Sequence, residues 1–119
     1  MSTAIDNLFS YRVKPGMEER FQAYLDKVLP VTETQEPYVL SYEIFQGSDG
    51  TYFQHERYEN EDAIWKHMEL TASGQADFAA STEMISLAML GKVSQKFRDT
   101  FGADVDLGAE YMPFRQVAR

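Results

Sequence analysis

Two extended segments joined by Gly47-Ser48-Asp49-Gly50, with a helical period directly after them, constrain the fold of this chain more than any other stretch. In the first segment Tyr38, Leu40, Tyr42 and Ile44 share one face by the two-residue period of a strand, and that apolar face must be covered. The linking residues tolerate positive φ and offer local side-chain hydrogen bonds. Thr51 to Tyr58 then resumes a β-branched and aromatic pattern, so the two segments read as a hairpin. Asn60 is placed to cap the next helix, and Glu59, Glu61 and Asp62 complement its dipole. That helix is expected from about Glu61 to Leu70, with His67 in its apolar stripe.

Upstream, Ile5, Asn7, Phe9, Tyr11 and Val13 lie on one face of an N-terminal strand that stops at the turn Lys14-Pro15-Gly16. From Met17 the period becomes helical, with Phe21, Tyr24, Leu25, Val28 and Leu29 in one stripe, and Pro30 is expected to end or kink that helix. Downstream, a break is expected near Ser73-Gly74, then a longer helical region from Ala76 to Phe101 interrupted at Gly91. A closing strand is expected within Val105 to Val117, around Ala109, Tyr111 and Phe114, with Pro113 at an edge or bulge. The order strand, helix, strand, strand, helix, strand is that of an α+β ferredoxin-like split βαβ unit, a four-stranded antiparallel sheet with helices on one face. Such a sheet leaves its other face bare. Phe53 and His55 against Tyr52 and Tyr58 put bulky residues on both faces of one strand, so a homodimer is expected.

The 119 residues suit one domain spanning 1–119 with a modest core. A net charge of -8 without a cluster of Lys and Arg disfavours nucleic acid and an anionic membrane surface as partners. No cysteine is present, which excludes disulfides, thiolate metal sites and cysteine nucleophiles. Met1 to Leu8 lacks a basic segment followed by an apolar core, and no apolar run is long enough to span a bilayer. The expectation is a cytoplasmic protein.

Val13-Lys14-Pro15-Gly16 before an amphipathic helix, Glu36-Pro37 entering Leu40-Ser41-Tyr42-Glu43-Ile44-Phe45, His55-Glu56-Arg57-Tyr58, and Asp62-Ala63 leading to His67-Met68 together resemble the antibiotic biosynthesis monooxygenase (ABM) domain family. The likeness covers roughly positions 5 to 80. It implies a dimeric α+β barrel, two ferredoxin-like subunits packed sheet to sheet. It also implies oxygenation of quinols or polycyclic phenols with dioxygen and with no cofactor. Two positions depart from the family pattern: Tyr38 stands where a glycine is usual, and no second histidine follows His67 on its helix.

Chemistry of that kind needs a base that makes the substrate anionic, a donor that steadies the anion, and a dry pocket. His67 is the first candidate base, because it shares an inward face with Ile64, Met68 and Thr71. The alternative is a core histidine bonded to a neighbouring acceptor. Asn7 could orient a ligand oxygen or stand at a wet strand end. Tyr42 and Tyr58 could donate to a quinol oxygen or simply pack. Glu56 or Arg57 must point inward, so Glu56 needs a partner, with Arg57 as its possible solvent-side neighbour. Trp65 could wall an aromatic pocket, yet it lies about 200° around a regular helix from His67. His55 reads as a surface or interface residue, and two histidines without cysteine make a poor metal set. The competing readings are a non-catalytic dimeric module that binds a small aromatic ligand and, ranked lower, a haem-degrading oxygenase built on Asn7, Trp65 and His67.

Overall fold

A computed structural model describes residues 2–117 and residue 119. Strand β1 (Ile5–Val13) leads through the Pro15-Gly16 turn into α1 (Glu18–Gln35), followed by the hairpin β2 (Val39–Gln46) and β3 (Tyr52–Tyr58). Helices α2 (Glu61–Leu70) and α3 (Ala72–Ser81) come next, then β4 (Thr82–Leu90) and α4 (Gln95–Phe101). The four strands form one antiparallel sheet in the order β2-β3-β1-β4, the ferredoxin-like arrangement. In the hairpin, Gly50 takes φ +84° and Asp49 Oδ1 accepts from the Thr51 amide at 3.0 Å and the Thr51 hydroxyl at 2.6 Å. Asn60 caps α2 by accepting from the Ala63 amide at 3.0 Å.

Four details differ from the reading of the sequence. The last strand is Thr82–Leu90, within the stretch expected to be helical, and residues 105–117 contribute only an isolated parallel bridge from Tyr111 to Leu90. Met, Leu, Ala and Glu favour a helix there, but pairing with β1 outweighs that weak preference. A register shift at Ile85 also hides the alternation, since Met84 and then Leu87 and Met89 face inward. A second bulge, at Leu40, keeps Val39, Tyr42 and Ile44 inward and turns Leu40 out to 52% exposure.

Helix α1 continues past Pro30 to Gln35 rather than ending there. The carbonyl deprived of a partner belongs to Asp26, an exposed residue, and the Thr34 hydroxyl donates to the Pro30 carbonyl at 2.7 Å. Gly74 lies inside α3 rather than at a break. A Cβ there would stand 2.4 Å from Val28 Cγ2, so glycine is what lets α3 lie close on α1. Arg20 and Lys27 of α1 tie the same helix pair together by gripping Asp77 at 3.0 and 2.8 Å.

The core divides along the helix layer. Phe9, Tyr11, Phe21, Tyr24 and Val28 fill the space beneath α1. Ile5, Tyr58, Ala63, Ile64, Met89, Val93, Phe97 and Leu107 fill the space beneath α2 and α4. The other face of the sheet carries Phe45 and Phe53, direct cross-strand partners exposed by 53% and 46%.

Candidate active site

Between the sheet and helices α2, α3 and α4 lies a cavity of about 230 Å³. Its lining is mostly aromatic, aliphatic and thioether side chains, with three polar exceptions: Asn7, Glu56 and Gln75. Strand register explains why two of these meet. Met89, Asn7, Glu56 and Tyr42 are successive cross-strand partners on β4, β1, β3 and β2, a single row of side chains pointing toward the helices. Directly paired residues on one sheet face hold their Cβ atoms about 4.5–5.5 Å apart, so the Asn7 amide and the Glu56 carboxyl stand side by side.

Glu56 is 7% exposed. Its Oε2 accepts from Gln54 Nε2 at 2.7 Å and its Oε1 from the Tyr58 hydroxyl. Burial pushes the Glu56 carboxyl above the usual carboxylate range, against the pull of these hydrogen bonds and of nearby His67. The polar cluster continues away from the cavity. Gln54 donates to the Tyr24 hydroxyl at 2.9 Å and accepts from Tyr11 at 2.7 Å, and the Tyr24 and Tyr42 hydroxyls share a hydrogen bond. Burial first, and the Glu56 charge next, hold the Tyr42 and Tyr58 phenols well above their ordinary value, so both stay neutral. Asn7 presents the opposite situation: its Oδ1 is buried and has no hydrogen-bond partner. A buried acceptor left so is costly and marks a place where a donor fits.

His67 does not line the cavity. It is fully buried behind the wall, with Nδ1 2.8 Å from Glu36 Oε1 and its ring 5.6 and 5.5 Å from those of Tyr42 and Tyr58. Glu36, also buried, accepts from Thr32 at 2.9 Å and from Tyr38 at 2.9 Å. Tyr38 thus completes the shell of that carboxylate. Gln75 stands between His67 and the cavity, its Nε2 lying 3.4 Å from His67 Nε2 and 3.1 Å from Thr71 Oγ1.

Of the six side chains singled out from the sequence, Asn7 and Glu56 reach the cavity, while Tyr58 touches it through Glu56. Tyr42 is one strand further on. Trp65 points elsewhere: its Nε1 donates to Glu61 Oε2 at 2.9 Å and its ring packs on Phe97 and Phe101, with centroids 5.8 and 4.9 Å away. Arg57 is no neighbour of Glu56. It pairs with Asp6 at 2.6 Å on the opposite sheet face, where His55 Nε2 also meets Asp6 at 2.9 Å and His55 Nδ1 meets Glu43 at 3.1 Å. The Asp6 hydrogen bond first of all raises the His55 pKa. Gln54 and Gln75 are the polar members that sequence reasoning passed over. Gln54 shares the two-residue phase of Glu56 and Tyr58, which was signal enough, whereas Gln75 follows the unforeseen helix restart at Ala72.

A model of the antibiotic biosynthesis monooxygenase family matches residues 6–77. The chain belongs to that family. No curated protein matches the sequence. Among solved structures, MupZ from Pseudomonas fluorescens superposes with a TM-score of 0.77 at 16% identity, covering 100% of this chain and 91% of its own. Rv0793 from Mycobacterium tuberculosis superposes with a TM-score of 0.62 at 18% identity, covering 77% and 97%. A provisionally assigned antibiotic biosynthesis monooxygenase from Caulobacter crescentus gives 0.63 at 18% identity, covering 78% and 92%. At these identities the likeness speaks for the fold. Among its described residues, no helix is long and apolar enough to cross a membrane.

Proposed function

We propose that this family member is a cofactor-independent monooxygenase of a quinol or related phenol, and that Glu56 rather than His67 is the base facing the substrate. The observation that carries this reading is the pairing in one apolar cavity of a buried carboxyl group, Glu56, with an unpartnered amide oxygen, Asn7 Oδ1. A hydroxyl group of the substrate donates to Asn7 Oδ1, and a second hydroxyl, or the acidic position itself, faces Glu56. A carboxylate raised by burial is a better base than a solvated one, and on taking the proton it becomes the neutral form that its surroundings favour.

The resulting anion gives an electron to dioxygen far more readily than the neutral phenol. The balance needs no external reductant: quinol plus dioxygen gives hydroxyquinone plus water, one oxygen atom entering the ring and the other leaving with two hydrogens. Apolar walls admit dioxygen and keep bulk water from the intermediate. Gln54 and Tyr58 fix the Glu56 carboxyl, and the Tyr42 hydroxyl beyond it offers the returning proton a way outward along the row. The buried His67–Glu36 pair holds α2 to the end of α1, a supporting role. In the same proposal the exposed Phe45 and Phe53 face belongs to a sheet-to-sheet homodimer.

The test is oxygen consumption by metal-free protein against a panel of reduced naphthoquinols and phenols, corrected for autoxidation, with Glu56→Gln beside it. Enzyme-dependent uptake lost in the variant supports the reading. Saturable binding of the same compounds without uptake would favour a small-aromatic-binding module instead.

A further inference from the structure

The cavity owes one wall to the residues beyond β4. Phe97 and Phe101 of α4, with Val105 and Leu107 after it, line the side that the β-strands leave open. These residues lie past the part matched by the family model, which ends at residue 77.

The wall is fastened at both ends. Ser94, which caps α4 by accepting from the Phe97 amide at 3.1 Å, donates its own amide and hydroxyl to the Glu61 carboxylate at 2.5 and 2.9 Å. The same carboxylate takes the Trp65 indole N–H, and Trp65 in turn buttresses Phe97 and Phe101, whose rings lie 4.5 Å apart. From within α4, Arg98 Nη2 donates to the Gly108 carbonyl at 2.9 Å, and Leu107 is buried in the same core cluster as Phe97. A segment tied this way is a fixed boundary.

We propose that this C-terminal wall is the size filter of the substrate site: Phe101, backed by Trp65, limits the cavity to compact hydroxyaromatics of about two fused rings and excludes longer ones. The volume of about 230 Å³ falls below the roughly 300–1,000 Å³ common for small-molecule pockets. Phe97 is 2% exposed and belongs to the core, whereas Phe101 lines the cavity and is only partly buried, so of the two rings Phe101 is the one set against a ligand in this proposal.

This inference rests on the cavity being the substrate site, and its test is binding rather than turnover. Dissociation constants for 2-naphthol and 2-anthrol are measured by calorimetry, under nitrogen, for the native protein, Phe101→Leu and Phe101→Ala. The native protein is expected to prefer 2-naphthol by about tenfold or more. Phe101→Ala should reverse that preference, weakening 2-naphthol and strengthening 2-anthrol each by about tenfold, with Phe101→Leu between. An unchanged ratio in the folded variants, or native protein that binds 2-anthrol as tightly as 2-naphthol, overturns the proposal. Size reversal without oxygen uptake on any substrate leaves the filter standing and removes the oxygenase reading. Oxygen uptake with no reversal does the opposite.

Discussion

Replacing His67 alone by leucine should destabilise the chain more than replacing Glu36 and His67 together by methionine and leucine. The side chains of the pair are 0% and 1% exposed, and the imidazole supplies one of the three hydrogen bonds that hold the Glu36 carboxylate. Removing it leaves that carboxylate with only Thr32 and Tyr38, out of reach of water. Breaking a buried pair in this way costs about 3–5 kcal/mol, whereas apolar replacement of both members is often close to neutral. Against a total stability of about 5–15 kcal/mol the single change is severe. At roughly 4 °C per kcal/mol for a chain of this size, Tm should fall by roughly 12–20 °C. The double variant should lie within about 1–2 kcal/mol of the native protein, since the hydroxyls of Thr32 and Tyr38 can turn to other acceptors. Urea unfolding followed by far-ultraviolet circular dichroism measures all three proteins. A single-variant loss under about 1 kcal/mol, or a double variant weaker than the single, refutes the reasoning.

Three other outcomes are expected. Asn7→Ala should leave urea stability unchanged or slightly higher, because its buried oxygen has no partner, while weakening 2-naphthol binding in calorimetry by about tenfold, the worth of one hydrogen bond to a buried group. Gly74→Ala forces a methyl against Val28 and should cost about 1–3 kcal/mol in thermal unfolding. Phe53→Lys places a charge beside its exposed cross-strand partner Phe45 and should convert the proposed dimer to monomer in sedimentation velocity, with the far-ultraviolet spectrum unchanged.

Most of the fold was legible in residues 5 to 70. There the period-two and helical stripes, the Gly47 to Gly50 turn and the Asn60 cap each state their element locally. What followed was not, because two signals there mislead. Gly74 looks like a break when read alone, and only the approach of Val28 shows that it is a packing glycine inside α3. Thr82–Leu90 carries helix-forming residues and a bulge that scrambles alternation, so its strand character exists only through β1. The lining of the candidate cavity was half legible. Asn7 and Glu56 stood out as polar groups on inward faces, and strand register then made them neighbours. His67 drew notice for the same reason, but a face toward the core does not distinguish a cavity wall from a buried pair; Glu36, 31 positions earlier, decided which it was.

The most direct test of the central claim is the pH dependence of kcat/KM for oxygen uptake on the best quinol, compared between the native protein and Glu56→Gln. A base works when ionised, and Glu56 ionises above the ordinary carboxyl value of 4.5, so native activity should rise with pH through a single ionisation displaced upward from there. Glu56→Gln should lose that limb and run about 10²–10⁴-fold slower. A variant that keeps both the limb and the rate would contradict the assignment of Glu56 as the base.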